Sequence, residues 1–311
     1  MMTAEQILED LRSDRVKKVI ADGDYSAEID DQCALAYCHG SEKIEVIGVN
    51  AAAFYEYPVA VDTEEVMLRS YKEIERVYDY TGLTGDEVPY FEGARSQISN
   101  NPGLTPTDSP AARYIIKCAH ESDEPIYVIV TGPCTNVVSA YLLDPSIKEK
   151  IVVVWVGGLC LENEHAFEPH HEWNICADIA AAKYLMDSDL PLVFLPCEPH
   201  GTVDISMPFR DFGKIKGDNR GAEFFRHVLP SKEVDEEKYK TKIKVMCDLA
   251  GPAVVIDPSM MVTKIIPAPI VEDGPKYRLD DSRRKIVYGY YPDSDRITAD
   301  ALRCIERFVN R

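Results

Sequence analysis

Along the chain, short and almost purely apolar runs alternate with longer stretches whose apolar positions recur every three or four residues. The first pattern belongs to buried strands and the second to helices with one face on a core, and their alternation predicts a parallel sheet covered by helices on both sides. Strands are expected over residues 16–21, 43–49, 126–131, 151–156 and 192–195, with later ones near 262–270 and 284–291. Helices are expected over 30–39 and 63–80, near 252–255, and over 298–309. The run before Thr131-Gly132-Pro133 has nearly no polar side chain, as expected of a central strand with both faces buried. There is no internal repeat and no low-complexity tract. Residues 210–242 are rich in Gly, Lys and Glu but contain Phe224-Phe225, so they read as mobile helices inside one domain spanning residues 1–311. The expected fold class is a single α/β domain with a mostly parallel central sheet and a Rossmann-like core.

Composition narrows the function. With 45% hydrophobic and 28% charged residues the chain is an ordinary globular protein. Its 34 basic and 53 acidic residues give a net charge of −19, a field that repels phosphate backbones and anionic membranes. Nucleic acid and membrane are therefore not expected partners; a neutral or cationic small molecule is. The nine cysteines form no C-x-x-C pair, and several, such as Cys197 and Cys247, sit in apolar runs, which predicts buried thiols rather than a disulfide framework. The N-terminus carries early acids and no long apolar core, and no apolar run of about 18 residues occurs, so neither a secretory signal nor a membrane span is expected. The expected location is the cytoplasm.

The candidate chemistry lies just after the first strand. Asp22, Asp24, Glu28, Asp30 and Asp31 fall within ten residues, at the carboxyl end of a strand, where open α/β sheets bind their ligands. An isolated Asp30-Asp31 pair reads as a helix cap, and Asp22 and Asp24 alone as a solvated turn. Five acids converging behind a buried strand need a counter-charge, and hard carboxylate oxygens suit calcium or magnesium, calcium tolerating the irregular geometry better.

The run Asp22-x-Asp24, then Ile29-Asp30-Asp31-x-x-Ala34-Leu35, resembles the amino-terminal signature of the nucleoside hydrolases, with a first loop two residues longer than the common form. Three later blocks follow in the family's order: Thr131-Gly-Pro-Cys-Thr-Asn136 with Leu143-Asp144-Pro145; Gly157-Gly158 with Glu172-Trp173-Asn174-Ile-Cys-Ala177-Asp178; and Cys247-Asp248-Leu-Ala250. The likeness runs from about residue 16 to about residue 270. It implies a homodimeric or homotetrameric enzyme that hydrolyses the N-glycosidic bond of a ribonucleoside or related N-riboside. It also implies Ca2+ held by Asp24, Asp31, the Thr131 carbonyl and Asp248, with Asp24 taking a proton from the attacking water. Asp30, Glu172 and Asn174 are then expected to grip ribose, Asn163 to contact its 5′ side, and Asp22 to act as a support. On their own, Thr131 reads as a helix-entry turn, Asn174 as the cap of the helix after Glu172, and Asp248 as another cap.

Two departures concern the base. Many purine- or inosine-cleaving members have a histidine where this chain has Cys247, and a thiol is a poor acid at neutral pH. Segment 48–55 lacks the usual Gly-Asn pair, with Tyr55 near the asparagine position. A replacement proton donor is sought in His165, His170, His171 or His227, the first three in the lengthened stretch between Gly158 and Glu172. Two other readings remain open at this level. One is a homologue that binds metal and ribose without turnover. The other is a phosphatase of the haloacid dehalogenase type, with Asp22-x-Asp24 as its nucleophile motif.

Overall fold

The computed structural model describes residues 1–54 and 63–311; Tyr55 lies outside the described residues. Among the described residues twelve strands occur, in chain order: β1 (Lys17–Gly23), β2 (Ile44–Ala51), β3 (Tyr90–Phe91), β4 (Ile126–Val130), β5 (Ile151–Val156), β6 (Leu192–Leu195), β7 (Ser206–Pro208), β8 (Ile243–Val245), β9 (Met261–Pro267), β10 (Ile270–Glu272), β11 (Lys276–Arg278) and β12 (Lys285–Pro292). Eight of them form one sheet in the order β3-β2-β1-β4-β5-β6-β12-β9. All neighbours in it are parallel except β12 and the edge strand β9, which run antiparallel. The two remaining pairs, β7–β8 and β10–β11, are short antiparallel ribbons.

The sheet is covered on both faces. Alternate residues of β1 divide between two cores, Val19 and Ala21 on one side and Ile20 on the other, and β4, β5 and β6 are buried throughout. This is the strand composition of a parallel sheet wrapped by helices, and the domain is a single α/β unit. The helix Asp30–Gly40 is buried nearly all round, because the C-terminal helix Ser294–Val309 lies over its outer side. A Cβ added at Gly40 would come 1.8 Å from the Cys304 carbonyl oxygen, so only glycine allows that approach.

Several boundaries differ from the sequence expectation. The strand expected near 262–270 ends at Pro267, and residues 270–272 turn into the β10–β11 ribbon, since Pro267 and Pro269 lack the N–H that a ladder requires. The C-terminal helix begins at Ser294, where Asp293 accepts the Arg296 N–H at 3.1 Å. The short helix near 252–255 extends over Ala250–Ile256 with Pro252 in its first turn. An N-terminal helix, Ala4–Arg12, was not anticipated; Thr3 and Gln6 close it with a reciprocal capping box, and Ile7, Leu8 and Leu11 bury its apolar face. Residues 210–242 form a series of short helical turns that set Phe212, Phe224 and Phe225 into the core. No helix among the described residues is long and apolar enough to cross a membrane, and all nine cysteines are free thiols.

Candidate active site

The strand order reverses direction at β1 and β4, and the carboxyl ends of these two adjacent strands open the crevice where an α/β sheet binds ligand. β1 delivers Asp22 and Asp24 there, β4 delivers Thr131, and the helix after the first loop presents Asp30 and Asp31 in its first turn. Gly23 makes the junction possible: a Cβ there would stand 2.5 Å from Asp31 Oδ1 and 2.6 Å from Thr131 Oγ1. From far along the chain, a 3-10 turn at Cys247–Leu249 brings in Asp248. The result is a cavity of about 490 Å3 lined by Asp24, Asp30, Asp31, Thr131 and Asp248 together with Glu172 and Asn174.

Most of these groups are fixed by hydrogen bonds. Thr131 donates its N–H to the Asp22 carbonyl at 2.9 Å and its hydroxyl to Asp31 Oδ1 at 2.7 Å. Asp30 Oδ2 accepts the Asp248 N–H at 3.4 Å and the Cys247 thiol at 3.3 Å. Glu172, rather than Asn174, is the cap of the helix Trp173–Ala177: its carboxylate accepts the N–H groups of Asn174 at 3.2 Å and Ile175 at 2.8 Å. Asn174 instead spans the ends of β4 and β5, its amide donating to the carbonyls of Val156 at 2.9 Å and Thr131 at 3.4 Å.

Asp22 faces away from the cavity. Asn50, its register partner on β2, and Asn136 both donate to its carboxylate, each at 3.1 Å to Oδ2. It braces the end of β1 and leaves no nucleophile exposed, so the phosphatase reading falls.

Burial and mutual repulsion leave Asp24, Asp31 and Asp248 poorly disposed to ionise. Burial pushes Asp24 well above the usual range, and the charges of Asp31 and Asp30 add to the effect. Asp31 is pushed up to about 7 by burial and by Asp30, and Asp248 rises by burial and by Asp30, Asp31 and Asp24. A group of buried oxygen ligands that resist charging together fits a divalent cation, which would supply the missing counter-charge. Ligand atoms of Asp30, Cys247 and Asp248 also lie within 4.8 Å of one another.

Three features were missed in the sequence. Lys244 is buried at 5% exposure and pairs with Glu28, with Glu233 at 3.1 Å and, less closely, with Asp30 at 3.8 Å. No sequence signal marks it: the alternation Ile243-Lys244-Val245 suggests an outward lysine, but in the structure Ile243 and Val245 are exposed and the lysine points inward. Asn50, the donor to Asp22, lay in the segment read as lacking the family's asparagine. Cys197 and Glu198 also line the cavity.

Other expected residues are not brought to it. Asn163 caps the turn Glu164–Phe167, accepting the His165 N–H at 3.0 Å, and does not line the cavity. None of His165, His170, His171 and His227 lines it. His170 stands 3.6 Å from Glu198, which does; His165 stacks on His170, His171 packs on Trp173, and His227 lies near Tyr239. A larger hollow of about 850 Å3 lies elsewhere, between Leu11, Asp257, Met260 and Arg303, and contains none of the site residues.

Fold and site together define a class: an α/β protein with a cluster of buried carboxylates lining a cavity at the switch point of its sheet. The chain matches the family described as inosine-uridine preferring nucleoside hydrolase over residues 19–285, and it belongs to that family. The pyrimidine-specific ribonucleoside hydrolase RihA of Enterobacter sp. (strain 638) is 31% identical over 140 residues, 44% of this chain and 40% of that protein. RihA of Klebsiella pneumoniae (strain 342) is 26% identical over 186 residues, 53% of this chain and 55% of that protein. The matched stretch thus spans about half or less of these curated relatives. Among solved structures, the plant nucleoside hydrolase PpNRh1 superposes with a TM-score of 0.70 at 18% identity, covering 93% of this chain and 99% of that one. The purine-preferring ribonucleoside hydrolase from Gardnerella vaginalis gives 0.69 at 19% identity, covering 94% and 99%.

Proposed function

We propose that the protein hydrolyses the N-glycosidic bond of N-ribosides to free base and ribose, with Ca2+ as its cofactor. The observation that carries this reading is the convergence of Asp24, Asp31, Thr131 and Asp248 with Asp30, Glu172 and Asn174 on one cavity. Asp24, Asp31, Asp248 and the Thr131 carbonyl would hold the cation. When bound, it would orient and acidify a water molecule.

The protein's own groups do the rest. Asp24, at the end of a rigid strand, accepts the proton that the attacking water loses at C1′. Asp30 and Glu172 are acceptors placed for ribose hydroxyls, and Asn174 lines the same wall. Holding the ring fixes C1′ against the water, which converts a bimolecular encounter into a positioned one, and the developing oxocarbenium charge is favoured by the surrounding carboxylates. The experiment is release of free base from a panel of N-ribosides, and of p-nitrophenolate from p-nitrophenyl riboside, for wild type and Asp24→Ala. Turnover that depends on Asp24 supports hydrolysis; ribose and metal binding without release of any base would make the protein a non-catalytic homologue.

A further inference from the structure

Resting on that reading, the walls of the cavity outside the cation site point to a substrate class. Breaking C1′–N of a neutral nucleoside leaves the bonding electron pair on the base, and the base then needs a proton donor. Among the described residues, no histidine, lysine or arginine lines the cavity. Residues 55–62, Tyr-Glu-Tyr-Pro-Val-Ala-Val-Asp, contain none of these either. Lys244, the nearby cation, is enclosed by Glu28, Asp30 and Glu233. His170 stands 3.6 Å from Glu198 and does not itself line the cavity. The Cys247 thiol faces two carboxylates, Asp30 at 3.3 Å and Asp248 at 3.8 Å.

The same wall attracts positive charge. Glu28 and Glu198 line it beyond the cation ligands, and Phe54 and Trp173 offer aromatic surface. Carboxylates with aromatic side chains form a binding surface for a flat cationic ring.

We infer that the preferred substrates are N-ribosides of cationic heteroaromatic bases, of the pyridinium type, held by Glu198 and leaving as neutral bases. The balance needs no acid. The water oxygen bonds to C1′, the C1′–N pair passes to the ring nitrogen and cancels its positive charge, and the water proton goes to Asp24 and then to solvent. The products are ribose, a neutral pyridine and one proton.

The test compares 1-(β-D-ribofuranosyl)pyridinium-3-carboxamide with uridine and inosine, all with saturating Ca2+ and with p-nitrophenyl riboside as a substrate that needs no leaving-group acid. The expected kcat/KM for the pyridinium riboside exceeds both nucleosides by about 100-fold or more, the scale of a missing general acid. Glu198→Gln should raise KM for the pyridinium riboside by a clearly larger factor than it raises KM for uridine. Independently of turnover, N-methylpyridinium-3-carboxamide should inhibit at roughly tenfold lower concentration than neutral pyridine-3-carboxamide. Turnover of p-nitrophenyl riboside with uridine or inosine equal to or better than the pyridinium riboside would overturn the substrate class while leaving hydrolysis intact. No turnover of any riboside would overturn hydrolysis itself, and this inference with it.

Discussion

Lys244 Nζ lies 3.8 Å from Asp30 Oδ1, with both side chains almost wholly buried. Burial alone would depress the ammonium, but the charges of Asp30, Glu28 and Glu233 outweigh it and hold the lysine firmly protonated. The lengthened first loop is tied at the same point, since Glu233 also accepts the Ile29 N–H at 3.1 Å. On the proposed function, Lys244 is a positioning residue that would act on ribose through Asp30.

Removing the lysine strands buried carboxylates. Lys244→Met should destabilise the protein by about 3 kcal/mol, the scale for breaking one side of a buried ion pair. KM for a riboside should rise more than kcat falls. Adding Glu233→Gln should recover part of the stability, which thermal unfolding of the single and double variants measures as a coupling. Additive effects would show that Lys244 and Glu233 do not act as a pair.

Glu172 gives a pH dependence. Burial pushes it up to about 7 from 4.5, despite backbone N–H groups that favour its charged form. Between those two values the folded state holds a proton that the unfolded chain has released. The folded state is therefore favoured at low pH, and the contribution is lost as pH rises through about 7. Its full size is on the order of 3 kcal/mol. Denaturant unfolding between pH 5 and 8, chosen as about the window those values set, should show a fall in stability that Glu172→Gln flattens. Equal slopes in the two proteins would remove Glu172 from this role.

The four histidines once placed as candidate acids lie off the cavity wall. Single changes of His165, His171 and His227 to Gln should each leave turnover within about threefold of wild type, as for surface groups away from chemistry. His170→Gln should alter KM modestly through Glu198. A loss of about 100-fold or more in kcat for any of them, the cost of deleting a general acid, would return that histidine to catalysis.

The convergence of residues on the cavity was legible because many of them sit at a strand end or helix start with a short local signature: Asp24 after β1, Thr131 after β4, Glu172 before a helix. The parallel sheet was legible from β4, β5 and β6, whose uniform apolar runs have few other uses. Contacts between distant segments were not. Lys244 meets Glu28 across 216 residues of sequence, and nothing local in Ile243-Lys244-Val245 announces that its lysine faces inward. Asn50 was overlooked because its role comes from strand register opposite Asp22, which only the pairing of β1 with β2 sets. The place of the histidines failed for a related reason: adjacency of His170-His171 to Glu172 in sequence does not fix which way a loop turns its side chains.

The most direct test of a cation-dependent ribohydrolase is p-nitrophenolate release from p-nitrophenyl riboside by wild-type protein stripped with chelator and then titrated with Ca2+. Turnover should vanish on stripping and return with a saturable dependence on Ca2+, and Asp31→Asn should weaken that dependence while the protein stays folded. Undiminished turnover in the stripped protein would contradict the assignment of Asp24, Asp31, Thr131 and Asp248 as a working cation site.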